Sequence, residues 1–424
     1  MASYLSSLLG RASKPSGPEA TAMPAAFYTS DAIYRLEQRA VFSKMWLMIC
    51  HERFLNETGK FQLVNFAGLE FFVIRSKAGD VRAFHNACRH RGFPVLRPKQ
   101  EGEADVTTRT GKVNIIACGY HGWSYSTNGD LAKAPGFQDV PGFENKDHGL
   151  FDLRVHVDKN GFVYVNADKS PDAISWKQQF GDFENQDRFK RIDWENFDYA
   201  LSWSMEDAPY NWKVLSDNYN ECHHCSFTHP GFVQTTDLKS YSVKGGEGHI
   251  AHYVKAKPEA LVPGTDPEKF AFNYVLPSSS HTITPLYFYN MRIQPNGPRS
   301  CSVHYDVYRH KDCTDDVFDE THKFFVQVET EDKMLCANTQ KSLERGNYNS
   351  GPLHPTREAG VVYFQRTHVD TLRKHFEKEQ AAGHEIRGGQ HTYGSLSEKS
   401  SNAFVQQVEG CAGACGSGGK ENEW

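Results

Sequence analysis

Two short loops constrain this chain more than any other feature. Cys88-Arg-His90 and Cys118-Gly-Tyr-His121 each place one thiol and one imidazole on a tight turn, flanked by Gly92 in the first and by Gly119 and Gly122 in the second. Both loops interrupt a series of short segments, FQLVNF, LEFFVIRS, VRAFHN, VNIIACG and FVYVNA, rich in β-branched and aromatic residues and separated by Gly, Asn and Asp. That pattern predicts an antiparallel strand series from about residue 47 to 166. Two sulfur and two nitrogen donors suit either zinc or a [2Fe–2S] centre, because both accept tetrahedral S and N ligation. A zinc finger usually presents C-x2–4-C and then H-x3–5-H. Here each loop carries one residue of each kind, which meets the demand of a centre where two thiolates hold one iron and two imidazoles the other.

A second string, NWKVLSDNYNECHHCSFTHP, starts at Asn211, and residues 209–226 read as helical. Trp212, Leu215, Tyr219 and Cys222 recur at three and four, giving an apolar stripe, while Asp217, Glu221 and His224 share the opposite face. That face alone fits solvation as well as a site. His229 lies five residues beyond His224, a rotation of about 500° on an ideal helix. The two histidines converge only if the helix is distorted or ends between them, and Pro230 favours such a break.

The strings CRHRG and CGYHGWSYSTNGDL resemble the Rieske oxygenase family, of the alpha-subunit type. One departure is the 27 residues between His90 and Cys118, a longer gap than the family has; KQEGEADVTTRTGK supplies the excess and reads as a surface loop. The resemblance implies that Cys88, His90, Cys118 and His121 bind a Rieske [2Fe–2S] cluster. It also implies that His224 and His229, in a string similar to the family's E/D-x-x-H-x4-H-P, ligate a mononuclear Fe(II), with His223 where the family often has Tyr. A carboxylate completes such a two-His-one-carboxylate site. Within ETEDKMLCANTQKSLERG the candidate is Asp332, with Glu331 as competitor, since periodicity does not separate them. By the same resemblance Glu221 bridges the iron site to a cluster histidine of a neighbouring subunit, accepting hydrogen bonds from both imidazoles. Asp217 and Asn218 are expected beside the site. Glu at position 221 is similar to the family members acting on quaternary ammonium compounds. Cys222 and Cys225 read as buried packing thiols, because the β/α context of a thioredoxin motif is absent. Cys411 and Cys415 read as incidental cysteines of a flexible tail.

The implied fold is α+β: an all-β Rieske domain inserted before a helix-grip-like catalytic domain with an antiparallel sheet and long helices. The expected order is a flexible leader (1–24), an N-terminal helix (25–46), the Rieske domain (47–166), the catalytic iron domain (167–408) and a flexible tail (409–424). The helix starts at Ser30 and Asp31 and buries Ile33, Leu36, Ala40 and Val41. In the catalytic part, 283–310 reads as strands and 320–345 as a long helix.

Composition limits the partners. With 47 Lys+Arg against 52 Asp+Glu and no long basic run, a nucleic-acid binder is not expected. Nor is a membrane protein, since no apolar run approaches the roughly 20 residues a bilayer needs. Ten cysteines in 424 residues fall short of a disulfide scaffold, so a reducing cytoplasm is the expectation, with organelle targeting by the Ser-rich leader as the alternative. No G-x-G-x-x-G follows a strand, so electrons come from a separate ferredoxin or flavin reductase using NAD(P)H. Family geometry implies a homotrimer. The overall resemblance is to choline monooxygenase-type enzymes, which use O2 to oxidise choline to betaine aldehyde. Hydroxylation or demethylation of another betaine, carnitine or an aromatic or polycyclic substrate is the alternative, and a Rieske electron-carrier module the non-enzymatic one. Trp203, Tyr210, Phe272, Tyr274, Tyr287, Phe288 and Tyr289 are available to face a cation, although core packing accounts better for most of them individually.

Overall fold

The computed structural model describes residues 5–7, 9, 20–96 and 108–388. Helix α1 (Asp31–Glu37) begins where Ser30 Oγ accepts the Ile33 amide, and it continues into a π-helical turn, Gln38–Phe42. Ile33, Leu36, Ala40 and Val41 all enter the main core. Described residues within the expected leader, 1–24, make defined contacts. Ala20–Thr21 pairs with Pro352–Leu353, the Met23 amide donates to Gln365 Oε1 at 3.1 Å, and Leu5 and Leu9 are buried. Scattered apolar residues in a polar leader carry no periodicity, so their burial against a distant surface is invisible locally. Cys411, Cys415 and the tail from 409 lie outside the described residues.

The strand-rich part contains β1 (Leu47–His51), β2 (Lys60–Phe66), β3 (Leu69–Arg75), β4 (Val81–His85), β5 (Thr108–Lys112), β6 (Ile116–Ala117), β7 (Ser124–Tyr125), β8 (Leu131–Lys133), β9 (Arg154–Val157) and β10 (Phe162–Asn166). They form three antiparallel sheets in the orders β4-β3-β2-β5, β6-β7-β8 and β9-β10-β1. Alternation explains why the centre of β3, FFVI at residues 71–74, is apolar without interruption. Phe71 and Val73 enter the main core, whereas Phe72 and Ile74 enter a second core with Cys88, Cys118, Trp123 and Tyr125. A strand with a core on each face has no polar side to show. Strand β5 corrects one expectation: the last five residues of the supposed surface loop pair with Lys60–Val64 at the sheet edge. Polar TRTGK sits there because an edge strand meets water on its free side.

The other part carries β11 (Phe197–Ala208), β12 (Thr236–Gly246), β13 (His249–Ala256), β14 (Ala271–Val275), β15 (Ser279–Ile283), β16 (Tyr287–Gly297) and β17 (Ser300–His310). Their antiparallel sheet has the order β11-β17-β16-β15-β14-β13-β12. Alternation along β16 gives the sheet two partners. Arg292 Nη1 reaches the Ile49 carbonyl at 2.5 Å and Gln294 Nε2 the Asn65 carbonyl at 2.8 Å, both in the strand-rich part. Tyr289, on the opposite face, donates to Glu329 on the long helix at 2.7 Å. That face carries α2 (Trp212–Tyr219), α3 (Cys225–Thr228), α4 (Pro230–Thr235), α5 (Asp315–Glu344) and α6 (Ala359–Ala382). Helix α5 starts earlier than expected, because Thr314 caps the Val317 amide and Asp315 and Asp316 favour a helix N-terminus. Among the described residues no helix is long and apolar enough to cross a membrane.

Candidate metal centres and the cavity beside them

The two Cys/His loops are backbone copies of each other. In one, the Gly92 amide donates to the Cys88 carbonyl at 2.9 Å and the Cys88 amide to the Phe93 carbonyl at 2.8 Å. In the other, Gly122 donates to Cys118 at 3.1 Å and Cys118 to Trp123 at 2.8 Å. Both turns close on a glycine at positive φ, 72° at Gly92 and 71° at Gly122, where a side chain would be strained. The thiols lie inside and the imidazoles towards the surface: Cys88 and Cys118 are each 3% exposed, while the ring centroids of His90 and His121 are 4.5 Å apart.

This donor set fits a two-iron cluster. Burial pushes the Cys88 thiol up, against hydrogen bonds from Tyr125 and the His90 amide, so a thiolate there calls for a metal cation. Burial, His121 and Arg91 lower His90, keeping its ring neutral as ligation demands. Its Nδ1 is buried without a hydrogen-bond partner among the described residues. Tyr125 Oη stands 3.1 Å from Cys88 Sγ, and Trp123 stacks on His90 at 5.1 Å.

The second centre depends on a broken helix. Helix α2 ends at Tyr219, so Asp217, Glu221 and His224 do not share one helical face. Asn220 caps that helix, and His224 and His229 occupy the two ends of the four-residue α3. Pro230, at the first position of α4, prevents a continuous helix through His229. The imidazoles thereby turn towards α5. Both Nε2 atoms lie 3.2 Å from the same Asp332 Oδ1. The opposite nitrogens face other acids: His224 Nδ1 donates to Glu221, and His229 Nδ1 donates to Glu331 Oε2 at 2.7 Å. Asn218 Nδ2 donates to Asp332 Oδ1 at 3.1 Å. Burial disfavours charge on His224, yet Asp332 and Glu221 push it up to about 10, so this surround favours a positive charge between the rings. Two imidazoles and a carboxylate oxygen converging this way fit a divalent metal with open positions.

Asp217 does not face this centre. It accepts from Tyr28 Oη at 2.5 Å and from Gln365 Nε2 at 3.1 Å, tying α2 to the N-terminal segment and α6. Burial lifts it to about 7 against those hydrogen bonds. The packing-thiol expectation for Cys222 and Cys225 is also corrected, since the two are joined as a disulfide across the start of α3. The turn after Asn220 brings their Cα atoms to 5.0 Å, within bridging reach.

Beside the three converging donors lies a cavity of about 120 Å³. Its aromatic wall is Tyr219, Phe232, Tyr241, Phe272, Tyr289 and Phe325. Of the seven aromatic candidates in the sequence, only Phe272 and Tyr289 reach it; Trp203, for one, stacks on Tyr305 at 3.9 Å. The acids are Glu221, Glu329 and Asp332, and among the described residues no Lys or Arg lines the cavity. Glu329 escaped the sequence reading, although its place three residues before Asp332 put it on the same helical face. Burial and Asp332 raise it to about 7, against hydrogen bonds from Tyr305 and Tyr289. Burial and Arg188 push His252, another wall residue, down to about 3, so that it is neutral.

Comparison with known proteins agrees with both centres. Residues 45–144 match the Rieske [2Fe-2S] domain family, and residues 194–374 match the ring hydroxylating alpha subunit (catalytic domain) family. The carnitine monooxygenase oxygenase subunit of Acinetobacter pittii is 28% identical over 361 residues, covering 81% of this chain and 92% of that protein. The chloroplastic choline monooxygenase of Beta vulgaris is 27% identical over 364 residues, covering 84% of this chain and 78% of its own. A crystal structure of a quaternary ammonium Rieske monooxygenase with L-carnitine superimposes with a TM-score of 0.71 at 25% identity, over 83% of this chain and 96% of that one. The protein therefore belongs to the Rieske non-haem iron oxygenases, as an alpha-type subunit whose two metal groups are a [2Fe–2S] cluster and a mononuclear iron.

Proposed function

We propose that this oxygenase is a monooxygenase of a quaternary ammonium substrate, choline in particular, and that betaine aldehyde is its product. The observation that carries the reading is the cavity wall, in which six aromatic rings and three acids stand, among the described residues, without a Lys or Arg. Aromatic faces attract a desolvated cation by up to about 2 kcal/mol, and acids add to that attraction. The similarity to relatives that act on carnitine and choline supports the substrate class. A carboxylate-bearing betaine would want a basic partner. Arg188 is the candidate, but it lies in the adjoining cavity, its guanidinium donating to the His252 carbonyl at 2.8 Å and to Asn273.

In this reading residues 47–166 form the cluster domain and 167–408 the oxygenase domain. Cys88, Cys118, His90 and His121 would hold the cluster, and His224, His229 and Asp332 the iron. Electrons delivered singly and activation of dioxygen are the chemistry these two groups supply when bound. The chain's own part is geometry. Glu221 and Glu331 each accept a hydrogen bond from an Nδ1–H, which leaves Nε2 of His224 and His229 free to ligate. Asn218 holds Asp332 in place. Tyr219, Phe272 and Phe325 exclude water beside the reacting carbon. Glu221, half-buried at the mouth, would carry the link to a cluster histidine of a second subunit in a homotrimer, and a separate ferredoxin or flavin reductase would supply electrons. A cytoplasmic setting is the reading that the low cysteine density supports, the Cys222–Cys225 bridge falling short of a disulfide scaffold.

The test is a single-turnover assay, in which chemically reduced, iron-loaded protein meets O2 with choline, L-carnitine, glycine betaine or an aromatic acid, and products are read by mass spectrometry. Betaine aldehyde from choline supports the reading. Product from L-carnitine in preference to choline would move the assignment to a betaine with Arg188 as its anchor, and product from aromatics alone would overturn the substrate class.

A further inference from the structure

Most buried acids in this fold come with a cation. Glu37 pairs with Lys213, Asp306 with Arg292 and Glu379 with Arg39. Asp158 takes the Asn160 and Phe162 amides instead. Glu329 differs, because it is 6% exposed, belongs to no ion pair among the described residues, and lines the substrate cavity. Its two oxygens are held apart by two strands: Tyr289 Oη donates to Oε1 at 2.7 Å and Tyr305 Oη to Oε2 at 2.6 Å. Neither tyrosine brings positive charge. A carboxylate desolvated without a cation is costly, which is why burial raises Glu329, and a cation beside it would favour the charged form.

We propose that Glu329 is the specificity-determining counter-charge of the cavity, its carboxylate facing the ammonium group of the substrate and making the pocket prefer a cation to a neutral molecule of equal shape. The proposal rests on the reading of this cavity as a quaternary ammonium site. Glu329 lies three residues before Asp332 on α5, so about 4.5 Å of helix rise separates the charge that meets the ammonium from the acid that meets the iron. That spacing suits a small substrate gripped by its cation while a neighbouring carbon is presented to the metal. Tyr289, which both lines the cavity and donates to Glu329, fixes the carboxylate beside the cavity.

The experiment compares choline with 3,3-dimethylbutan-1-ol, its uncharged carbon isostere, as substrates of the iron-loaded holoenzyme. In Glu329→Gln the KM for choline is expected to rise about tenfold or more while that for the isostere stays within about twofold. In Glu329→Asp, which keeps the charge but draws it back by one methylene, a smaller loss confined to choline is expected. This second variant decides the matter if the first does not fold. Equal losses for both substrates, or none, would mark Glu329 as a packing residue and overturn the proposal. Wild-type protein that shows no preference for choline over the isostere would overturn the underlying substrate reading instead. A preference for choline that Glu329→Gln retains would sink the Glu329 proposal alone.

Discussion

Glu331 and Asp332 are neighbours in sequence yet hold opposite nitrogens of one ring, His229, with Glu331 on Nδ1 at 2.7 Å and Asp332 on Nε2 at 3.2 Å. Successive residues on a helix point about 100° apart, so the two acids straddle the imidazole instead of competing for one place. One orients the ring while the other stands where a ligand stands. Asp332→Ala is therefore expected to abolish iron loading, and Glu331→Ala to weaken it about 10–100-fold. Metal analysis of the two variants checks this, with the cluster spectrum as the control for folding. Iron retained in the first and lost in the second would exchange their roles.

Glu221 touches His224 Nδ1 and the His223 amide, and is partly open to the surface. Glu221→Ala is expected to keep the cluster and much of the iron, yet to lose at least about tenfold in reductase-coupled turnover. Metal content and coupled product formation are measured on the same preparation. Undiminished turnover would remove the bridging role and leave Glu221 as an orienting acid only.

Asp217 titrates for structural reasons. Its folded value, about 7, stands above the ordinary carboxylate value of about 4. A raised carboxyl contributes stability that is fully present below the unfolded value and is lost as pH rises through the folded one. Between about pH 4 and pH 7 the wild type should therefore lose on the order of 2 kcal/mol from this group, a figure reduced for its partial exposure. Asp217→Asn removes the titration. Its melting temperature should gain on the wild type between pH 5.5 and pH 8, with iron content unchanged. A constant difference between the two proteins across that range would show that Asp217 is already ionised at low pH.

The Tyr125 hydroxyl, 3.1 Å from Cys88 Sγ, is expected to raise the reduction potential of the cluster, because a hydrogen bond to sulfur favours the more electron-rich state. Tyr125→Phe should lower the potential by about 40 mV, the equivalent of a ~1 kcal/mol hydrogen bond in a one-electron couple. Spectroelectrochemical titration reads the shift directly, and an unchanged or higher potential would mean that the hydroxyl serves only the Arg89 amide, which it also accepts at 3.0 Å.

The cluster loops were legible in the sequence because each is built within five residues, where Cys, His and Gly at short spacing define the turn and the donors together. The same holds for the strand series and for α1, whose periodicities are local. Sequence periodicity went wrong where a helix stopped. Residues 209–226 read as one helix, but α2 ends at Tyr219 and α3 starts at Cys225, so the shared face of Asp217, Glu221 and His224 does not exist. Pro230 announced the break near His229 but not its earlier start at Asn220.

What the sequence by itself determined is therefore the set of donors: two thiols and two imidazoles on paired turns, two more histidines before a proline, and an acid pair on a late helix. Which acid meets which nitrogen and that Glu329 lines an aromatic cavity were decided only by the packing of α5 across β16 and β17, and that Asp217 turns away to Tyr28 by the packing of α2 against the N-terminal segment and α6. These contacts join residues as much as 189 positions apart. No local pattern encodes such a pairing, because the free energy that sets it comes from burying whole faces against one another, and each side chain's partner follows from that fit.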